Sequence, residues 1–146
     1  MQWLLTSHVR RYHRRYGSNG HVWQGRFKAF PIQHDAHLLQ VMRYVERNAL
    51  RANLVNRAED WRWGSLAWRY NGHSVSFLVV PPVPLPDDWL DRVNVPESTV
   101  ELTALRCSVN RGAPFGDTVW VEETAANLGL ESSLRSRGRP RKSGEK

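Results

Sequence analysis

The chain has 146 residues, 40% of them apolar, and a net charge of +7 with a single cysteine. That length fits one domain of ordinary size, or a small domain with an extended tail, and the lone Cys107 excludes an internal disulfide framework and fits a reducing compartment. No run approaches the ~20 apolar residues of a membrane span, and the opening MQWLLTSHVRR lacks the layout of a secretory signal, so the expectation is a soluble, intracellular protein with no membrane partner.

Charge is segregated along the chain. Residues 1–57 are net +8, residues 58–134 net −6, and residues 135–146 net +5. Two basic ends flanking an acidic middle point to a polyanionic partner rather than to solubility alone. Nucleic acid leads among such partners, and a basic ribosome-associated protein would look similar by this measure.

In chain order, Met1 to Tyr16 reads as a helix presenting Arg10, Arg11, Arg14 and Arg15, and GSNG then breaks it with a turn. HVWQGRFKAFPIQ alternates apolar and polar residues irregularly and suggests one strand or two short ones around Gly25, with Trp23 and Phe27 inward and Arg26 and Lys28 outward. Asp35 is a suitable N-cap for the next helix, over 36–48. NRAEDWRWGSLAWRYNG reads as a turn and a short helix near Ser65 to Tyr70. VVPPVPLP, within 79–96, reads as a stiff connector and the main boundary. Beyond it STVELTALRCSVNRG and DTVWVEETAANLGL read as helices, each closing on a glycine suited to a left-handed terminus. They form a helical extension over 97–134 and a helix-turn-helix candidate, although GAPFG is a long link for that motif. The final RSRGRPRKSGEK has nothing apolar to bury and is expected to be disordered in isolation. Within that tail, Arg137-Gly138-Arg139-Pro140 resembles an AT-hook core, in which glycine allows close approach to the groove floor and the arginines enter the narrow minor groove. A generic basic tail is the equal alternative.

The stretch HLLQVMRYVERNALRANLV carries the candidate chemistry. At about 100° per residue Leu38, Val41, Met42, Val45 and Ala49 share one sector, the core stripe of an amphipathic helix. Tyr44 and Asn48 lie to one side of it, on successive turns, with Arg43, Arg47 and Arg51 around them. Two readings fit. Tyr44 packs at the core margin while Asn48 ends the helix, or Tyr44 is a nucleophile with Asn48 a hard oxygen ligand beside it. The aromatics Trp61, Trp63 and Trp68 are assigned to the core, with base stacking as the alternative.

GHVWQGRFK, LLQVMRYVERNALRANLV and EDWRWGSLAWRYNG, in this order and spacing, resemble consecutive motifs of the single-tyrosine HUH transposases, specifically their REP-associated tyrosine transposase branch. The likeness covers roughly the first half of the chain, and RCSVNRGAPFGDTVWVEETAANLGLESSLRSRGRPRK is similar to an extension found on some members. It implies a metal-dependent enzyme of DNA transposition and recombination, in which Tyr44 attacks a phosphodiester of single-stranded or hairpin DNA. The products are a 5′-phosphotyrosine link and a free 3′ hydroxyl. It further implies Asn48 as a ligand to a divalent ion, Mg²⁺ or Mn²⁺, which polarises the scissile phosphate. The covalent link conserves the phosphodiester for rejoining, and the surrounding arginines suit a phosphate-lined groove.

Two departures bear on that implication. Ala49 stands where the family usually has proline, and the family's two histidine ligands, a triplet with one residue between them, have no counterpart. The six histidines are His8, His13, His21, His34, His37 and His73, and no two are separated by a single residue. The chain also opens at a point internal to the family, so the resemblance implies the C-terminal part of a transposase catalytic domain over 1–78, incomplete on its own. The implied fold is α+β, a remnant of an antiparallel-sheet and helix domain that is mostly helical in this fragment. The implied partners are DNA, a homodimer mate or a full-length transposase, with a cytoplasmic, nucleoid-associated location. A non-catalytic DNA-binding protein and an RNA-binding protein are the alternatives.

Overall fold

The computed structural model describes residues 2–23, 28–70 and 78–135. Helices α1 (Gln2–Tyr16), α2 (Ala36–Glu46), α3 (Asn48–Arg51), α4 (Ser65–Tyr70), α5 (Trp89–Asn94), α6 (Thr99–Arg111), α7 (Thr118–Leu128) and α8 (Glu131–Leu134) follow in order, with a 3₁₀ turn at Ala58–Asp60. No helix of the described residues is long and apolar enough to cross a membrane.

The described residues do not form the expected α+β arrangement. Among the described residues there is no strand and no antiparallel sheet. The segment expected to supply strands contributes one isolated parallel bridge, Ile32 to Phe115. Trp23, assigned to the core of a strand pair, is 45% exposed, while Phe27 and Arg26 lie outside the described residues. A strand needs a neighbouring edge to satisfy its N–H and C=O groups. The only ladder-like hydrogen bonds formed among the described residues are Gln33 N to Phe115 O at 3.0 Å and Phe115 N to Pro31 O at 2.9 Å.

Local chemistry sets the start of α2 and both ends of α6 and α7. Asp35 Oδ1 accepts from His37 N at 2.7 Å at the start of α2. Ser98 and Glu101 form a capping box on α6, and Asp117 accepts from Trp120 N at 3.0 Å on α7. Gly112 and Gly129 end α6 and α7 in the left-handed region, at φ 67° and 65°, which carries no steric penalty for glycine. After α3 the chain reverses at Asn53, φ 55°, a residue type that tolerates this region.

The core sits where α2 and the 3₁₀ turn meet α5. Ala58, Leu66, Trp89 and Val93 are its buried centre, and Leu39, Met42, Leu50, Leu85 and Leu90 pack around them. The stretch 85–94, expected to lie in an extended connector, therefore supplies the largest buried side chain, Trp89. Glu46 staples three helices here. Its carboxylate accepts from Ser65 Oγ at 2.6 Å and Trp89 Nε1 at 2.8 Å and pairs with Arg69 at 3.5 Å, with its side chain 5% exposed. Asn94 ties α5 to the 3₁₀ turn by accepting from Ala58 N and donating to Glu59.

A second junction fastens α6 and α7 to the start of α2. Gln33 Nε2 donates to Asp117 Oδ2 at 2.7 Å, Asp117 N donates to Gln33 Oε1 at 2.8 Å, and the His37 ring meets Phe115 edge-on. These bonds hold the Asp117 carboxyl below the ordinary carboxylate range, through the Trp120 N–H first and Gln33 second.

Candidate functional site

The helix expected over 36–48 closes earlier, at Glu46. Arg47 is its C-cap, and Asn48 opens α3. Tyr44 and Asn48 stay on adjacent turns, and between them lies Arg51. Its guanidinium carbon sits 4.0 Å from the centroid of the Tyr44 ring, Nη2 donates to Asn48 Oδ1 at 2.9 Å, and Nη1 is 3.5 Å from the Tyr44 carbonyl oxygen. One arginine thus joins the two side chains of interest.

The three arginines of this stretch, one on α2, one at its C-cap and one on α3, turn toward the protein. They recur every four residues, so they form one stripe, and the chain from Val93 to Glu101 lies along it. Arg43 Nη2 donates to Val95 O at 2.8 Å and Pro96 O at 3.2 Å, and Arg43 pairs with Glu101 at 4.0 Å. Arg47 Nη1 donates to Val93 O at 2.9 Å and Asn94 O at 2.6 Å, capping the carbonyl end of α5. Glu97, its side chain 3% exposed, lies 3.3 Å from Arg47 and 3.6 Å from Arg51. The stripe read from sequence as a phosphate groove is occupied by an internal carboxylate and four backbone carbonyls.

The other candidate residues are spread out. Arg10, Arg11, Arg14 and Arg15 are carried on α1, which buries no residue. Lys28 donates to Asn110 Oδ1 at 3.2 Å. Arg26, Arg137, Arg139 and the AT-hook-like stretch lie outside the described residues. Trp63, assigned to the core, is 61% exposed under the guanidinium of Arg62, at 4.2 Å. Val45, assigned to the core stripe, is 63% exposed. Val45, Asn48, Leu54, Trp61 and Trp63 line an open cleft of about 310 Å³.

A divalent ion of the kind the resemblance implies does not fit these residues by themselves. The hard oxygen that Asn48 offers is taken by Arg51, whose positive charge stands where a cation would have to approach. Among the described residues no group of three or more His, Cys, Asp or Glu side chains converges to hold a metal. The residues that sequence reasoning missed are Glu97 and Glu46. The fourfold spacing of Arg43, Arg47 and Arg51 marked a common face, but nothing local to Glu97 announced that it would fill that face.

No family model, curated protein or solved structure matches the chain.

Proposed function

We propose that this chain is a DNA-binding protein related to the single-tyrosine HUH transposases, with single-stranded or hairpin DNA as its partner. In this reading Tyr44 is the nucleophile of strand cleavage and rejoining. The observation that carries the DNA-binding part is α1, a helix that buries no residue and bears Arg10, Arg11, Arg14 and Arg15, while no acidic residue precedes Asp35 in the chain. Four guanidiniums on one helix without an acid nearby in sequence suit a phosphodiester backbone.

A second reading, DNA binding without chemistry, is favoured by the Arg51 to Asn48 hydrogen bond, which withdraws the one metal-ligand candidate. One experiment addresses both readings. Purified chain is mixed with labelled hairpin DNA, with Mg²⁺ or Mn²⁺ and with EDTA, and resolved on a denaturing gel, with binding followed by anisotropy. Salt-dependent binding that prefers hairpin DNA to duplex and RNA, without an adduct, is expected of the chain alone. An adduct that requires metal and disappears in Tyr44→Phe would instead make the chain sufficient for cleavage. Adducts persisting in Tyr44→Phe would remove the nucleophile assignment, and absence of DNA binding would remove the whole reading.

A further inference from the structure

An exposed ring ladder runs along α1. His8, Tyr12 and Tyr16 recur every four residues and so stand on one face. Their ring centroids are separated by 6.3 Å from His8 to Tyr12 and by 4.6 Å from Tyr12 to Tyr16. The turn after the helix adds a fourth ring. Gly17 and Gly20 adopt φ of 59° and 100°, open to glycine and strained for other residues. His13 fastens the turn, with Nδ1 3.0 Å from Ser18 Oγ and Nε2 3.0 Å from the Gly20 carbonyl oxygen. Trp23 is thereby brought back against His8, at 5.1 Å between centroids.

These rings are on the surface. Tyr12 is 39% exposed, Tyr16 63% and Trp23 45%. Helical spacing sets Arg11 and Arg15 along the edge of the same stripe, and Arg15 lies 5.9 Å from the Tyr16 ring. Arg10 and Arg14 continue the positive surface further round the helix. Among the described residues none of the four forms an ion pair with a carboxylate, in contrast to Arg43, Arg47 and Arg51.

We propose that this ladder is a base-stacking platform for single-stranded DNA, taking roughly two or three unpaired bases on the rings while Arg11 and Arg15 hold the backbone alongside. The inference rests on the DNA-binding reading above and names the surface on which an unpaired strand is held. An apolar protein partner would be served by the rings alone. The flanking arginines, with no carboxylate nearby in sequence, make the surface complementary to a polyanion whose uncharged faces are aromatic. A duplex hides those faces in its stack, whereas a single strand presents them.

The test uses the full chain and a labelled oligodeoxythymidine, a matching duplex and a matching RNA, with anisotropy read over a salt series. Tyr12→Ala combined with Tyr16→Ala should weaken single-strand binding about 10-fold or more and leave duplex binding within about 2-fold, the behaviour expected when stacking aromatics are removed. Tyr12→Phe combined with Tyr16→Phe should bind like the parent. Arg11→Ala combined with Arg15→Ala should lower the salt slope by about 0.7 for each phosphate no longer neutralised, which ring removal should not do. These residues are exposed, and unchanged circular dichroism confirms that the variants fold. DNA binding that is indifferent to the rings overturns this inference and spares the DNA-binding reading, whereas absence of DNA binding overturns both. Tighter binding of the RNA through the same rings reassigns the platform to RNA. Self-association relieved by the alanine changes reassigns it to a second copy of the chain.

Discussion

Replacing Arg47 with alanine isolates the contact that decides how the second half of the chain is held. Its side chain is 11% exposed, it supplies both hydrogen bonds to the end of α5, at 2.9 and 2.6 Å, and it lies 3.3 Å from the buried Glu97. Removing one member of a buried pair costs about 3–5 kcal/mol, because the other is left charged and unsolvated. Glu97 would keep only Arg51, at 3.6 Å, and its Oε1 already has no hydrogen-bond donor among the described residues. Two carbonyls would also go without a charged donor, each such bond being worth about 1.5–3 kcal/mol when intact. Because Arg51 retains part of the pairing and the 93–97 backbone can relax toward water, we expect the lower end, about 3 kcal/mol. For a chain of this size that is a fall in Tm of roughly 6–12 °C. Urea titrations followed by far-ultraviolet circular dichroism measure it directly. Arg47→Lys should fall between, since an ammonium keeps the charge without the planar fork. In the double variant with Glu97→Ala, part of the loss should return as a coupling of about 1 kcal/mol or more. A loss under about 1 kcal/mol for Arg47→Ala, or additivity within about 0.5 kcal/mol in the cycle, would refute the account of Arg47 and Glu97 as a clamp.

Three other outcomes follow from the same geometry. Glu46→Ala should cost about 3 kcal/mol, since it strands the Trp89 indole N–H, the Ser65 hydroxyl and the Arg69 cation around an empty site. Glu46→Gln, which keeps an acceptor oxygen, should cost less, and both are read from urea midpoints. A Cβ on Gly116 would lie 2.6 Å from Trp120 Cε3 and collide with the Gln33 carboxamide, so Gly116→Ala should cost about 1–3 kcal/mol as overpacking. Its hydrogen-exchange protection should fall most at the junction between 31–33 and 115–117. Asp35, Glu101 and Asp117 are all held below the ordinary carboxylate range, chiefly by backbone N–H groups at helix starts, those of His37, Ser98 and Trp120. Each binds its proton more weakly folded than unfolded, so its contribution is complete above about pH 5 and is lost as pH falls through the depressed folded values. Stability against urea should therefore decline below about pH 4–5, and Asp35→Asn with Asp117→Asn should flatten that decline.

The helices were the legible part of this molecule. Asp35, the Ser98 and Glu101 pair, Asp117, Gly112 and Gly129 each act within a few residues, so α2, α6 and α7 could be bounded largely by residue type. The early end of α2 at Glu46 was not visible, since nothing in RNAL forbids a continuous helix and the break comes with packing of α3 against the 3₁₀ turn. The antiparallel sheet failed as an expectation because alternation in HVWQGRFKAFPIQ says only that a strand is possible, whereas a sheet needs a partner edge. Among the described residues, the one edge this segment met was a single residue of the α6 to α7 link. Likewise, four prolines suggested a spacer, yet Leu85, Trp89 and Val93 bring that stretch into the core.

By itself, then, the sequence determined five of the helical segments, α1, α2, α4, α6 and α7, and where charge accumulates, including an N-terminal helix with arginines and no opposing acid. Tertiary structure alone decided which arginines are engaged internally. Those of α1 form no ion pair among the described residues, while Arg43, Arg47 and Arg51 are met by a segment about fifty positions away in the chain. The physical reason is range. A cap or a left-handed glycine is settled within one helical turn, but whether a guanidinium meets a phosphate or a buried glutamate depends on which surface the fold brings over it.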